Sequence, residues 1–259
     1  MKKVITIAAI FAVCLLFIGF IICAKAPEHT ANPANATEDT QSQTDTEAPP
    51  EIPQSKIIDA PYIYQNVDYP NGCESVSAVM ALQYFGIDIT VDEFIDGYLD
   101  MGPAPIINGL GPDPTLVYCG DPRRKDGWGC HSSVIVNALD KLVDYDKFTV
   151  SAFRGRDLDE LCHRYIDRDI PVIIWATVGM VDSSSEQYWT SWTTPQGKKV
   201  TYNKRLHCLL LVGYDEDNYY FNDSMNLSSR GTRYIGYSKV AAEKAYEILG
   251  KQSIVIAPK

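Results

Sequence analysis

Cys73 follows the turn-forming run Pro70-Asn71-Gly72 and opens a segment in which Val76, Val79, Met80, Leu82 and Phe85 recur at helical spacing. That spacing predicts a largely buried helix beginning at the cysteine, with Gly86 placed to end it. A thiol at this point sits beside unpaired helical N–H groups and the positive end of the helix dipole. Both favour the thiolate, the nucleophilic form of cysteine, and the tight turn before it leaves the approach to sulfur open. The competing reading is that Cys73 is a small packing residue, since buried cysteine commonly is.

His207 is the second reactive side chain. It starts the apolar run Cys208-Leu209-Leu210-Leu211-Val212-Gly213, directly after the polar Tyr202-Asn203-Lys204-Arg205. That places it at the edge of a core, where a purely structural histidine is the alternative. Asp223 ends the following run, Asn218-Tyr219-Tyr220-Phe221-Asn222. A hairpin sets the start of one strand beside the end of the next, so Asp223 is placed to fix the imidazole tautomer and stabilise the imidazolium. A nucleophile, a base and an orienting carboxylate are the parts that covalent acyl transfer needs.

The elements that must position them are readable in outline. Thr90 and Glu93 form a capping box ahead of a helix reaching about Leu99. Residues 100–130 are rich in Gly and Pro and read as a long irregular loop, followed by a helix over His131–Val143. Phe148–Phe153 alternates as a strand, and Asp157 with Glu160 caps a helix ending near Arg168. Pro171–Ala176 is apolar on both faces and reads as a central strand. Residues 180–200 read as a loop and turn around Pro195-Gln196-Gly197, and its Tyr188, Trp189 and Trp192, with Tyr202, either line a substrate groove or pack the rim. A helix over Ser238–Leu249 and a strand over Ser253–Ala257 close the chain. Helices first and an antiparallel sheet second predict an α+β fold.

Outside that part, Lys2 and Lys3 precede an apolar run from Val4 to Ala24, long enough to cross a bilayer as one helix. Residues 1–26 are read as a signal-anchor or signal peptide. The segment is retained, cut after Ala26, or lipidated at Cys23, with the rest of the chain facing outward. The protein is thereby expected at the cell membrane facing outward, or secreted if cleaved. Residues 27–55, dominated by Pro, Thr, Glu, Gln, Ala and Asn, read as a disordered linker, and residues 56–259 as one folded domain. A hydrophobic content of 46% supports a core. A net charge of -10 argues against nucleic acid, which needs clustered Lys and Arg. Of 7 cysteines, Cys14 and Cys23 lie in the apolar run. The remaining five leave room for one free thiol and up to two bridges, with Cys119–Cys130 as one pairing. Cys119, Cys130, His131 and His163 are metal ligands by type, but no close Cys pair occurs, and no metal is expected.

The ordered set of Gln65, Asn71-Gly72-Cys73-Glu74, Gly127-Trp128-Gly129-Cys130, His207 with Gly213-Tyr214, and Asn222-Asp223 resembles the papain-like cysteine peptidases related to bacteriocin-leader peptidases, in their stand-alone, transporter-free form. The likeness spans residues 57–257. It implies a papain-like fold in which Cys73 is the nucleophile, His207 the general base, Asp223 its orienter and Gln65 an oxyanion-hole donor. From the residues alone Gln65 is an ordinary surface glutamine. Cys208 stands where the family commonly has an apolar residue, and Ser224 where a proline is often seen. The implied activity is that of an extracytoplasmic thiol hydrolase, a cysteine peptidase acting on a peptide or cell-wall peptide. No cofactor and no obligate protein partner are implied. An acyltransferase or transglutaminase-type enzyme, and a non-catalytic papain-like binding domain, are the alternatives.

Overall fold

A computed structural model describes residues 54–65, 68–225 and 233–259. The apolar N-terminal segment and the linker before Gln54 lie outside the described residues. The helices are α1 (Cys73–Tyr84), α2 (Val91–Tyr98), α3 (Ser132–Leu142), α4 (Leu158–Arg164) and α5 (Lys239–Ile248). The strands are β1 (Lys56–Ile57), β2 (Met101–Gly102), β3 (Tyr118–Cys119), β4 (Phe148–Arg154), β5 (Val172–Thr177), β6 (Trp189–Thr193), β7 (Lys199–Asn203), β8 (Leu206–Tyr214), β9 (Asn218–Asn222), β10 (Ile235–Ser238) and β11 (Gln252–Pro258).

The main sheet runs β10-β9-β8-β5-β11-β4, with β1 added on β8, and every pairing in it is antiparallel. All residues of β5 and β8 are buried, as their unbroken apolar sequences predict. Helix α1 packs on β8 and β5 and carries α2 and α3, while α5 packs on β5, β9 and β10. Ten successive residues of α1, Cys73 through Leu82, are buried. A helix buried on every side is an internal element, and each of its large apolar side chains adds about 1.5–3 kcal/mol of burial.

Local signals decide where the helices start and stop. Thr90 Oγ1 accepts the Glu93 N–H while Glu93 accepts the Thr90 N–H, completing the capping box. Beyond α1, Gly86 adopts φ +76°, and the Gly86 and Ile87 N–H groups donate to the carbonyls of Gln83 and Leu82. That left-handed stop is the one glycine makes without strain.

Two expectations need correction. Residues 189–203 are not a plain loop but the hairpin β6–β7, turned through Thr194–Lys198. Asp157 precedes α4 without capping it; its carboxylate pairs instead with the Lys251 ammonium. An interaction between distant charged groups thus takes the side chain that local spacing assigned to a cap.

Candidate active site

The turn Tyr69–Gly72 delivers Cys73 to the start of α1. The Gly72 N–H donates to the Tyr69 carbonyl at 2.9 Å, Asn71 Nδ2 donates to the Arg124 carbonyl at 2.6 Å, and the Tyr118 hydroxyl donates to the Asn71 carbonyl. One helical turn on, Ser77 Oγ donates to the Cys208 carbonyl at 3.2 Å. Residues four apart share a helix face, so Cys73 lies over the first residues of β8, beside the strand position next to His207.

His207 is buried at the start of β8, opposite the small Ala176 of β5. Strand β9 pairs Asn222 with Leu210, so Asp223, one residue further, falls diagonal to His207 across the ladder. Its Oδ1 lies 2.7 Å from His207 Nε2. Two further donors hold that carboxylate and a third holds the Asp223 backbone. The Met225 N–H donates to Oδ1 at 3.0 Å, the Tyr237 hydroxyl to Oδ2 at 3.0 Å, and the Tyr62 hydroxyl to the Asp223 carbonyl at 3.0 Å. Burial alone raises the pKa of Asp223, but His207 and the Tyr237 and Met225 donors outweigh it and hold the carboxyl below its ordinary range.

Gln65 is fully buried rather than at the surface. Its N–H donates to the Ser224 carbonyl at 3.1 Å, and its Oε1 accepts the Ser224 hydroxyl at 2.5 Å, next in sequence to Asp223. The Gln65 Nε2 and the His207 Nδ1 are both buried without a hydrogen-bond partner among the described residues. Buried polar groups without partners are uncommon, since each costs about 1–3 kcal/mol.

The sulfur itself departs from the sequence expectation in two ways. Cys73 is only 5% exposed, so the turn does not leave it open. Burial pushes its thiol well above the ordinary value, and the adjacent Glu74 carboxylate adds to that shift. A helix N-terminus favours an anion by only about 0.3–2 kcal/mol, and burial together with the Glu74 charge acts the other way. Desolvation wins, and the resting group is a thiol.

Sequence patterning does not single out Glu74. It is fully buried; its Oε2 accepts the Cys73 thiol at 3.2 Å and its Oε1 accepts the Cys130 N–H at 2.7 Å. Gly129, at φ +128°, makes room for it, because a Cβ there would collide with Glu74 Oε1 and the Tyr202 hydroxyl. Trp175 Nε1 donates to the Cys130 carbonyl at 2.9 Å and Tyr202 to the Trp128 carbonyl at 2.8 Å, so β5 and β7 pin this loop. Trp192 and Tyr202 are buried against Trp128, which is the rim-packing reading of these aromatics, whereas Tyr188 and Trp189 are half-buried. All five described cysteines are free, Cys119 and Cys130 included, so the pairing considered for those two does not form.

A model of the Peptidase_C39 like family matches residues 57–254. The uncharacterized protein YvpB of Bacillus subtilis (strain 168) is 29% identical over 200 residues, covering 77% of this chain and 72% of its own length. A crystal structure from Bacillus anthracis described as a C39-like peptidase superposes with a TM-score of 0.67 at 23% identity, covering 79% of this chain and 98% of that one. The α+β architecture is the papain-like fold.

Proposed function

We propose, from the premise that the chain belongs to the Peptidase_C39 like family, that it is a cysteine peptidase working through an acyl-enzyme on a peptide substrate. The observation that carries this reading is the buried His207–Asp223 pair, whose Nδ1 is unpartnered on the strand beneath Cys73.

In this reading His207 Nδ1 takes the proton from Cys73 Sγ. The sulfur attacks the scissile carbonyl carbon, forming a C–S bond while the carbonyl electron pair moves onto oxygen. Gln65 Nε2 and the Cys73 N–H donate to that oxyanion. The tetrahedral species collapses, the C–N bond breaks, and His207 returns the proton to the leaving amine. Water then adds to the thioester, again through His207, and frees the acid and the thiol. Asp223 keeps the ring oriented and its positive charge stabilised throughout. With residues 4–24 as a membrane span and Lys2 and Lys3 inside, this chemistry takes place outside the cell, on a peptide or a cell-wall peptide.

A second reading is favoured by one specific observation: the Cys73 thiol bonds Glu74 and not His207. A papain-like domain that only binds a surface partner would keep its sulfur so. Mass spectrometry of the full chain after rapid quenching with a quenched-fluorescence peptide pool separates the two. The peptidase reading expects an acyl adduct on Cys73, with cleavage in water alone and none in Cys73→Ala or His207→Ala. Cleavage that survives Cys73→Ala overturns it, and product formed only when an amine is supplied reassigns the site to acyl transfer.

A further inference from the structure

In the proposed mechanism the proton on Cys73 passes to His207, whereas in this structure it belongs to Glu74. Sulfur carries a single proton. While it points to Glu74 Oε2 at 3.2 Å, it cannot also serve His207, whose Nδ1 stands without a partner. Glu74 is not there by default. A fully buried carboxylate is costly, and this one is accommodated by a left-handed glycine, by the Cys130 N–H, and by two aromatic side chains that hold the loop carrying that N–H. A packing role alone asks for none of this.

We propose, resting on the peptidase reading above, that Glu74 is a positioning residue that latches the nucleophile. It keeps Cys73 as a neutral thiol turned away from the imidazole, and chemistry starts when the sulfur leaves Glu74 for His207 Nδ1. In that step the S–H bond breaks and an Nδ1–H bond forms. Glu74 remains a carboxylate, and no further reactant is consumed. Until the sulfur turns, a thiolate would face a carboxylate of the same sign, which is why burial and Glu74 together keep the thiol protonated. The groups facing Glu74 agree with this. Tyr118, Tyr202, Cys130, Cys208 and Cys119 are weak acids that burial first, and the Glu74 charge second, hold in the neutral form. Burial raises the Glu74 pKa as well, against the Cys130 N–H, the Cys73 thiol and a cationic His207, which favour the carboxylate. Once His207 has taken the proton, Glu74 faces a cation as well as an anion, and the engaged state is stabilised. The latch therefore opposes an idle thiolate while tolerating the working ion pair.

The test is the rate at which iodoacetamide alkylates Cys73 in the full chain at neutral pH, read by peptide mass, in the wild type, Glu74→Gln, His207→Ala and the double variant. A glutamine of the same shape accepts from Cys130 and donates to sulfur, so Glu74→Gln is expected to label at least about tenfold faster, one pKa unit of thiolate. The double variant is expected to lose that gain. Labelling of Glu74→Gln no faster than wild type, with His207→Ala slower, overturns the latch and leaves the Cys73–His207 reading standing. Labelling indifferent to both substitutions removes the two together. A measurement without any Glu74 variant tests the latch independently: the difference in thiolate absorbance near 240 nm between wild type and Cys73→Ser. The latch expects none at pH 7, and a Cys73-dependent thiolate signal there overturns it.

Discussion

His207 Nε2 and Asp223 Oδ1 lie 2.7 Å apart with both side chains out of solvent, so the imidazole has one nitrogen committed and one to offer. The committed nitrogen fixes the tautomer and ring plane; the other has no partner among the described residues and is the one the proposed mechanism uses. Replacing Asp223 by Asn keeps the shape and removes the charge that supports an imidazolium. We expect kcat for peptide cleavage to fall by about 10²–10⁴-fold with KM changed little, the scale on which a triad carboxylate acts. An Asp223→Asn chain that folds and keeps its kcat would remove the carboxylate from the mechanism.

Gln65 offers a sharper discrimination, because its Oε1 is occupied by the Ser224 hydroxyl and its Nε2 has no partner among the described residues. Loss of a single oxyanion donor costs about 10²–10³-fold in kcat, and Gln65→Ala is expected to fall in that range. Its melting temperature should move little, since the substitution deletes an unpaired donor along with one hydrogen bond. Steady-state kinetics beside a thermal melt read both. An unchanged kcat would make Gln65 a packing residue.

Much of this site is legible in the sequence because its elements are local. The start of α1 at Cys73, its stop at Gly86, the capping box at Thr90 and the apolar β8 each follow from residues within a few positions of one another. The link from His207 to Asp223 follows from one hairpin. The rest depends on long-range contacts. Glu74 meets Cys130, 56 residues away, and only because Gly129 takes a left-handed turn. Tyr237 reaches Asp223 from the short strand β10, whose four residues carry little apolar signal. The hairpin β6–β7 did leave a trace: Lys199-Val200-Thr201-Tyr202 alternates out and in with a period of two. The Ser and Thr of β6 hide that pattern, and its one buried residue, Trp192, owes its place to a ring contact with the distant Trp128.

Gly129 is the cheapest place to disturb Glu74 without touching a titratable group. An alanine there meets both a strained φ of +128° and a collision with Glu74 Oε1 and the Tyr202 hydroxyl. Gly129→Ala is expected to lose about 2–4 kcal/mol, combining backbone strain with overpacking. Urea unfolding measures it. Gly97→Ala serves as a control, because nothing lies within 4 Å of the Cβ it would gain. A Gly129→Ala chain as stable as the Gly97→Ala chain would show that the loop yields freely and that Glu74 is not tightly held.

The segment that carries the Cys130 N–H continues into His131, and its hydrogen bonds fix the state of that ring. Gln252 Oε1 accepts from the Ser132 N–H, the Ser132 hydroxyl and Arg154 Nη2, so its Nε2 is the donor to His131 Nδ1 at 3.1 Å. Nδ1 is therefore unprotonated, and burial together with the Arg154 charge brings the His131 pKa down to about 4. An unfolded histidine titrates near 6.5. Between those values the unfolded chain binds more protons than the folded one, so stability falls as pH falls, and nothing from this group changes above about 6.5. The loss from this residue between pH 7 and pH 5 is on the order of 2 kcal/mol, at about 1.4 kcal/mol per unit. Asp223 adds its own loss at lower pH, because its depressed pKa supplies stability that vanishes as pH drops through the folded value. Asparagine at position 131 keeps an acceptor for Gln252 and cannot titrate. His131→Asn is expected to flatten the decline in unfolding free energy between pH 7 and pH 5 while leaving the steeper loss below pH 4 in place. Parallel urea titrations of the two chains at those pH values decide it: slopes that coincide above pH 5 would mean that the half-buried neutral imidazole is not what makes the fold sensitive to acid.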